Sequence, residues 1–279
     1  MIAKDLLDSA LSLAQKTGSD ATAWDARILM AHVLRQTNPL ALDPRGDVDA
    51  EATARFGELW ARRLVGVPVQ HLVGEWDFYG RPFTVDDRAL IPRPETESLV
   101  EAARKEAAGA RRILELGTGS GILAVTLALE LPSARITALD ISVPALALAH
   151  ANAARHGVLG RIDLLAADWL TALSPVPFDL AVSNPPYLAL SEAPTLAPTV
   201  RDHEPDRALY GGEDGLAAIR HLLTTVPGHL AAGAPFLFEL GYGQARAVEV
   251  EILCRPQWRF AGLIDDLSGI PRVAVAKKV

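Results

Sequence analysis

The chain has 279 residues, of which 49% are hydrophobic, and this length permits one large domain or two smaller ones. An apolar fraction of this size can build a buried core and excludes a globally disordered or low-complexity protein. Acidic residues outnumber basic ones by 34 to 27, which gives a formal net charge of −7. Because proteins that wrap nucleic acid usually carry a basic excess or a dense basic patch, this charge disfavours bulk DNA or RNA binding.

The single cysteine, Cys254, cannot form an internal disulfide and fits a reducing compartment. Its apolar neighbours predict a buried position. No segment approaches the roughly 18 apolar residues of a membrane span, and the N-terminus lacks the layout of a signal peptide. We therefore expect a cytoplasmic protein without membrane contacts.

The first 65 or so residues carry apolar side chains at helical spacing and predict a module of three helices. The first helix is expected over 5–16, ending at Gly18, and the third over 48–64. The middle helix aligns four apolar residues on one face, which predicts that the core buries them: Trp24, Ile28, Ala31 and Leu34.

Residues 66–92 alternate glycine, aromatic and β-branched residues, as a β-hairpin would. The segment LIPRPETE follows, in which Glu95 and Glu97 are placed favourably for the start of a helix. We expect a helical domain over 1–67, a β-hairpin linker over 68–92 and a larger domain over 93–279.

From Arg111 onward, short apolar strands alternate with helices, which is typical of a mainly parallel sheet covered on both faces. The predicted strands are 111–116, 134–140, 161–167, 178–184, 234–240, 259–265 and 272–278. The predicted helices are 121–131, 143–156, 213–230 and 242–254. Residues 188–210 predict a long loop, and long ordered loops in such folds are often functional.

A glycine-rich segment, ELGTGSG over 115–121, follows the first of these strands and opens a helix, as a cofactor loop does. A dinucleotide fingerprint would place its third glycine at Ile122, but here it stands at Gly121. No Lys-Ser/Thr pair follows for a P-loop. The spacing therefore weakens the interpretation as a nicotinamide or nucleoside-triphosphate site.

Acidic residues follow the next two strands, at the edge where open α/β sheets bind ligands. Asp140 can accept hydrogen bonds from both hydroxyls of a ribose, while Ser142 is expected to cap the helix that follows. Asp168 can accept from an exocyclic amine, and Trp169 can border a purine.

The most specific motif is Ser-Asn-Pro-Pro-Tyr over 183–187, which closes the fourth strand. Proline lacks an N–H group and is confined to the edge or exit of a sheet. The motif therefore predicts a rigid rim on which the Asn184 side-chain oxygen and the Pro185 carbonyl hold both hydrogens of a planar NH2 group. Pro186 extends this rim, and Tyr187 is expected to form an aromatic wall.

These motifs resemble class I S-adenosylmethionine-dependent methyltransferases that act on planar amino groups, a Rossmann-like α/β fold with a mainly parallel seven-stranded sheet. Further blocks are similar to the release factor glutamine methyltransferases of the HemK/PrmC type: PVQHLVGEWDFYG, LIPRPETE, ILELGTGSGILAVTLA, DWL, SNPPY, HEPDRALYGGEDGL and LSGIPRV. The resemblance covers about residues 68–279, while the N-terminal helices agree in kind only. Glu115 departs from the pattern, since aspartate is more usual there.

The resemblance implies methyl transfer from S-adenosylmethionine to N5 of the glutamine in the Gly-Gly-Gln motif of class I peptide chain release factors. It implies release factors as the partner. No metal is expected because the histidines form no ligand-spaced cluster with acids, and the net charge argues against direct nucleic-acid binding. The cofactor-binding residues are then Glu115, Gly117, Thr118, Gly119, Ser120, Gly121, Asp140, Asp168, Trp169 and Asn184. The catalytic residues, which bind the glutamine amide, are Asn184, Pro185, Pro186 and Tyr187.

Three alternatives stay open. A nucleic-acid amino-methyltransferase uses a similar acceptor motif but normally binds phosphates, against the net charge of −7. A glutamine methyltransferase acting on a ribosomal protein is chemically indistinguishable. A cofactor-binding assembly protein without turnover would keep the glycine loop but would not need Asn184.

Overall fold

A computed structural model describes residues 1–279, and the chain divides into two compact units. The first, which we call the N-terminal unit, comprises Met1–Glu75 and Leu196–His203. The second, the sheet unit, comprises Trp76–Thr195 and Glu204–Val279.

Short helices build the N-terminal unit: α1 (Ala3–Thr17), α2 (Ala23–Val33), α3 (Ala50–Leu64), α4 (Val69–Val73) and, from the later segment, α8 (Pro198–Arg201). Gly18 ends α1 in the left-handed conformation, as predicted. A reciprocal pair of hydrogen bonds between Thr22 and Asp25 caps the start of α2.

The core of the N-terminal unit includes stacked rings of Phe56 and Trp60, with centroids 6.1 Å apart. Arg63 is also buried, and its guanidinium pairs with Asp20 at 2.8 Å and Asp25 at 3.1 Å. A buried charge is tolerated only when it is paired in this way, so Arg63 is a structural residue rather than part of a basic surface.

Trp24 does not lie in this core, and the prediction that it is buried was wrong. Ile28 and Ala31 are buried as expected, but 45% of Trp24 is exposed. The buried residues of α2 are Asp25, Ala26, Ile28, Leu29, Met30 and Ala31. The buried face is therefore centred near Ala26 and Leu29, rotated about the helix axis from the predicted one. That rotation carries Trp24 to the solvent side.

The sheet unit contains a hairpin and a seven-stranded sheet. Its strands are β1 (Glu75–Phe78), β2 (Arg81–Thr84), β3 (Arg112–Leu116), β4 (Arg135–Asp140), β5 (Ile162–Ala166), β6 (Leu180–Ser183), β7 (Pro235–Glu239), β8 (Trp258–Asp265) and β9 (Pro271–Lys278). Its helices are α5 (Glu97–Glu106), α6 (Ile122–Glu130), α7 (Val143–Arg155), α9 (Asp206–Leu209), α10 (Ala217–Thr225) and α11 (Ala245–Leu253).

The large sheet has the strand order β5-β4-β3-β6-β7-β9-β8, in which β9 is antiparallel to its neighbours and the five strands before it are parallel. The prediction of a mainly parallel seven-stranded sheet is confirmed. Every residue of β6 and of β7 is buried, as expected for strands covered on both faces.

The hairpin is shorter than the sequence pattern predicts. Strands β1 and β2 are joined by Tyr79 and Gly80, both with positive φ, which is the geometry of a tight hairpin turn. The expectation of a hairpin over all of 66–92 was wrong at 69–73, where α4 forms between Pro68 and a left-handed Gly74. Residues 188–210 likewise contain short helical turns, among them α8 and α9.

Two further observations concern the surface. Cys254 is exposed, so the prediction of a buried thiol was wrong; it follows the end of α11, beside an exposed Leu253. None of the helices is both long and apolar enough to cross a membrane.

Candidate active site

Polar side chains end five adjacent strands of the sheet, all at the carboxyl edge. In spatial order they are Asp168, Asp140, Glu115, Asn184 and Glu239, from β5 across to β7. Because the order of the chain reverses between β3 and β6, a crevice opens there, where open α/β sheets bind their ligands.

The crevice is a cavity of about 280 Å³, near the lower end of the size of small-molecule sites. Residues 88–93 and the loop around Pro205 complete its wall. Ten of the thirteen predicted site residues line it: Glu115, Gly117, Thr118, Gly119, Ser120, Asp140, Asp168, Trp169, Asn184 and Pro186. The other three, Gly121, Pro185 and Tyr187, do not.

The glycine loop is tied to the end of β4. The amides of Gly117 and Thr118 both donate to the Leu139 carbonyl, at 2.9 and 3.0 Å, and the amide of Gly119 donates to Asp140 Oδ2 at 2.8 Å. The other oxygen of Asp140 accepts from the Ser142 amide at 2.8 Å. Each carboxylate oxygen has a second lone pair, so Asp140 retains acceptors for a ligand.

The last glycine of the loop packs a helix instead of facing the cavity. Gly121 has a φ of +80°, and a Cβ atom there would lie 2.9 Å from Cα and Cβ of Ala149 on α7. Its role in this structure is therefore the close approach of α6 and α7, which sequence spacing alone did not separate from ligand contact.

Glu115 lies beneath this loop and is 1% exposed. Its Oε2 accepts from the Thr118 hydroxyl at 2.8 Å, but its Oε1 has no hydrogen-bond partner. The pKa of Glu115 is raised to about 8, chiefly by burial; the Thr118 hydrogen bond opposes the rise, and the charge of Asp140 adds to it. A buried carboxyl group with a free oxygen beside a cavity fits a cationic ligand.

The backbone is strained at Trp169, which directly follows Asp168, just after the end of β5. Trp169 has a φ of +50°, which is rare for a bulky residue, and its ring centroid lies 6.0 Å from that of His221. Such strain persists only where the surroundings hold it, and it clusters at ligand sites. The structure therefore holds Trp169 at the rim of the cavity beside Asp168.

The Asn-Pro-Pro-Tyr segment is anchored to its neighbours from several sides. The Ser183 hydroxyl donates to the Leu116 carbonyl at 2.8 Å, and Asn184 Nδ2 donates to Thr96 Oγ1 at 3.2 Å. Pro185 is buried. The Tyr187 hydroxyl donates to Glu239 Oε1 at 3.1 Å, so its ring is held against a buried carboxyl group and does not line the cavity wall.

Sequence reasoning missed residues that support this segment from behind. Gln244 donates from Nε2 to the Tyr187 carbonyl at 2.8 Å and accepts the Gly241 amide at 2.8 Å. A Cβ atom at Gly211 would lie 2.5 Å from the Pro186 carbonyl oxygen, and one at Gly215 would collide with the Tyr187 carbonyl. No local pattern marks these contacts. Glu239, an acid at a strand end, could have been found by the rule applied to Asp140.

Two further polar residues hold the cavity walls. Asn152 on α7 accepts the Thr84 amide at 2.9 Å and donates to the Thr84 and Ser120 carbonyls at 3.0 and 2.8 Å, which joins the hairpin to the glycine loop. Glu204 is buried and pairs with Arg93 at 2.6 Å. No group of three or more His, Cys, Asp or Glu side chains could hold a metal ion.

Comparisons with known proteins identify the fold. Two family models match: Methyltransferase small domain over 94–200 and PrmC N-terminal domain over 5–74. Among solved structures, a methyltransferase from Pyrococcus furiosus superposes with a TM-score of 0.54 at 17% identity, covering 80% of this chain and 98% of that one. A ribosomal protein L11 methylase from Lactobacillus delbrueckii superposes at 0.50 with 20% identity, over 67% and 80%. The fold is that of the class I methyltransferases.

Proteins with similar sequences identify the family more specifically than the fold does. The chain is 40% identical to a release factor glutamine methyltransferase of Koribacter versatilis, over 100% of this chain and 99% of that protein. It is 43% identical to one of Cereibacter sphaeroides, over 99% and 94%, and 40% identical to one of Deinococcus radiodurans, over 99% and 98%. The chain belongs to the release factor glutamine methyltransferase family.

Replacement of the buried acid should change how stability depends on pH. Because the pKa of Glu115 is raised from 4.5 to about 8 on folding, its neutral form stabilises the fold at low pH, and this contribution is lost as pH rises through that range. Relative to Glu115→Gln, the wild type should lose a few kcal/mol of unfolding free energy between about pH 5 and pH 9, since one pKa unit corresponds to about 1.4 kcal/mol.

Denaturant unfolding at a series of pH values measures this difference. Glu58→Gln, at an exposed position on α3, controls for the loss of one acid. Parallel stability curves for the wild type and Glu115→Gln would show that Glu115 does not hold its proton in the folded state.

Alanine at Gly121 should be far more costly than at another glycine of the same conformation. Gly157 has a φ of +69°, and a Cβ atom there would have no neighbour within 4 Å, so Gly157→Ala measures backbone strain alone, about 1–2 kcal/mol. Gly121→Ala adds the collision with Ala149, about 1–3 kcal/mol more. Equal losses of unfolding free energy in the two variants would disprove the packing role.

Proposed function

We propose that this protein transfers a methyl group from S-adenosylmethionine to side-chain N5 of the glutamine in the Gly-Gly-Gln motif of class I peptide chain release factors, leaving S-adenosylhomocysteine. The observation that carries the proposal is the position of Asn184, which lines the cavity where the strand order reverses and is followed by Pro185. Full-length relatives that are named for this activity support the same acceptor. The substrate is a translation factor, so we place the reaction in the cytoplasm.

The cavity residues fit the cofactor. Glu115 Oε1, without a partner, suits a methionine ammonium group, and Asp140 has lone pairs free for ribose hydroxyls. Asp168 and Trp169 at the rim would receive the adenine end. When bound, S-adenosylmethionine supplies a methyl group made electrophilic by the positively charged sulfur.

The acceptor needs help because an amide nitrogen has a delocalised lone pair and is a poor nucleophile. In our proposal, the Asn184 side-chain oxygen and the Pro185 carbonyl accept its two N–H groups and orient the nitrogen toward the methyl group. Both acceptors carry partial negative charge, so they stabilise the positive charge that develops on the nitrogen by a few kcal/mol each. The extra proton leaves as the bond forms or afterwards, and no strong base is required.

Release-factor methylation is favoured over the alternatives. A nucleic-acid acceptor would need contacts to phosphates, whereas the net charge is −7. A ribosomal-protein glutamine would suit the same chemistry, but the full-length relatives carry the release-factor name. A binding protein without turnover would have no use for the acceptors of the Asn184 rim.

Mass spectrometry of a class I release factor incubated with the protein and S-adenosylmethionine tests the proposal. We expect a gain of one methyl group on the glutamine of the Gly-Gly-Gln peptide. Asn184→Ala should lower kcat by about 100-fold, the scale for loss of one well-placed polar group, and leave the Kd for the cofactor nearly unchanged.

Gln257→Ala, which removes an amide side chain between α11 and β8, is the matched control and should keep wild-type kcat. If the release factor gains no mass while the cofactor binds, the acceptor is wrong and ribosomal proteins and nucleic acids become the next substrates to assay. Wild-type kcat in Asn184→Ala would remove that residue from the mechanism.

We also propose the division into a helical domain over 1–67, a linker over 68–92 that contains α4 and the hairpin of β1 and β2, and a catalytic domain over 93–279. In this division the helical domain binds the release factor away from the reacting glutamine. One glutamine offers little discrimination, so a second contact surface would supply specificity. Leu40 and Val65 are 71% and 77% exposed on the N-terminal unit, and we choose these two apolar side chains to test the contact.

Aspartate at both positions, Leu40→Asp with Val65→Asp, should raise the KM for the intact release factor about tenfold, equivalent to about 1.4 kcal/mol, without changing kcat. Steady-state methylation assays measure both constants. Leu267→Asp, at a fully exposed site of the sheet unit, is the control. An unchanged KM in the double variant would place the docking surface elsewhere.

A further inference from the structure

A chain of hydrogen bonds leads from Asn184 into the interior. Asn184 Nδ2 lies 3.2 Å from Thr96 Oγ1, which lies 2.7 Å from Glu239 Oε2. The Tyr187 hydroxyl lies 3.1 Å from Glu239 Oε1. Thr96 and Glu239 are each 1% exposed, and Glu239 does not line the cavity.

The number of available hydrogen atoms determines which group donates and which accepts in each of these hydrogen bonds. An ionised carboxylate can only accept, and each hydroxyl has a single hydrogen to donate. With both oxygens of Glu239 accepting, the hydrogen of Thr96 is committed to Glu239, and the Thr96 oxygen can only accept from Asn184. Only the NH2 end of the Asn184 amide can meet it, so the Asn184 oxygen is turned away from Thr96.

We propose that Thr96 and Glu239 are positioning residues that fix the orientation of the Asn184 amide, so that its oxygen and not its nitrogen meets the acceptor of the reaction. This inference rests on the proposed function, in which the acceptor is a planar NH2 group. A flipped Asn184 would set two N–H donors against each other and would add positive charge where positive charge develops. The buried hydroxyl hydrogen of Thr96 therefore determines whether the oxygen or the nitrogen of Asn184 faces the substrate amide.

The cost of the network argues that it serves the reaction. The other four residues of β7 are apolar or proline and are buried, and a buried carboxyl group among them is unfavourable unless it is fully hydrogen-bonded. Valine has the same shape as threonine, so packing alone does not require a hydroxyl group at position 96. The only side chain of the acceptor rim that this hydroxyl group reaches is the amide of Asn184.

The charge state of Glu239 gives a second readout. Burial raises the pKa of Glu239 to about 7; hydrogen bonds from Thr96 and Tyr187 and the charge of Arg272 oppose the rise, and Glu95 adds to it. Once protonated, Glu239 can donate to Thr96, which frees the hydrogen of Thr96 to face Asn184 and permits the flip. The kcat of the wild type should therefore fall as the pH drops below about 7.

The test compares Thr96→Val with Thr96→Ser in the full-length protein, using kcat and KM for the release factor and the Kd for S-adenosylmethionine. We expect Thr96→Val to lower kcat at least about tenfold with little change in the cofactor Kd. Thr96→Ser keeps the hydroxyl and should stay within about twofold of the wild type. Thr126→Val removes a buried hydroxyl of α6 that has no hydrogen-bond partner, and should match the wild type.

Wild-type kcat in a folded Thr96→Val would overturn the proposal, as would an equal loss in Thr96→Ser. If Thr96→Val does not fold, Thr96→Ala decides, because it also removes the hydroxyl group: a kcat lowered about tenfold supports the proposal, and wild-type kcat overturns it. A failure of the proposed function is separate, because the wild type itself would then not methylate the release factor.

Discussion

The parallel alignment of β5, β4, β3, β6 and β7 is the constraint on which the site depends, because it brings their carboxyl ends to one edge. Residues that are far apart in the chain become a row there. The carboxyl groups that line the cavity stand on one side of the point where the strand order reverses, at Asp168, Asp140 and Glu115. The amide of Asn184 stands on the other side, where the buried Glu239 does not line the cavity. The row therefore separates a side suited to a positively charged ligand from a side suited to a neutral NH2 group.

This arrangement costs stability within the sheet, and the cost differs between the two buried acids. Glu239 has a donor on each oxygen, whereas one oxygen of Glu115 has none. Since an unpaired buried acceptor is expensive, Glu115 is the member of the row that gains most from a ligand that brings its own charge or donors. Unfavourable features such as this unpaired buried oxygen are concentrated at binding and catalytic sites.

How much of such a site the sequence predicts depends on how far apart in the sequence the interacting residues are. The strands, the glycine loop, Asp140 and Asn184 are local patterns, and the structure places them at the predicted edge of the sheet. Pro185 is buried, however, and Tyr187 contacts Glu239 instead of lining the cavity. The contact of Thr96 with Glu239 spans 143 residues of chain, and no local rule reaches it. Trp24 and Gly121 show the other limit: the pattern identified their helical settings, but packing decided which way each faces.

The rim of the acceptor site has two separate supports, and they control different properties. Gln244 donates to the Tyr187 carbonyl, and Gly211 leaves room for the Pro186 carbonyl, so these residues fix the backbone that directly follows the proposed acceptors. The hydrogen bonds through Thr96 act on the Asn184 side chain, and they set which of its two ends faces outward. If Asn184 were held in place but free to flip, its NH2 end would face the substrate NH2 group as often as its oxygen does, and the two donors would repel each other. A site that must hold such a group in one orientation therefore needs both supports, which explains why a motif of four residues depends on partners from four other segments of the chain.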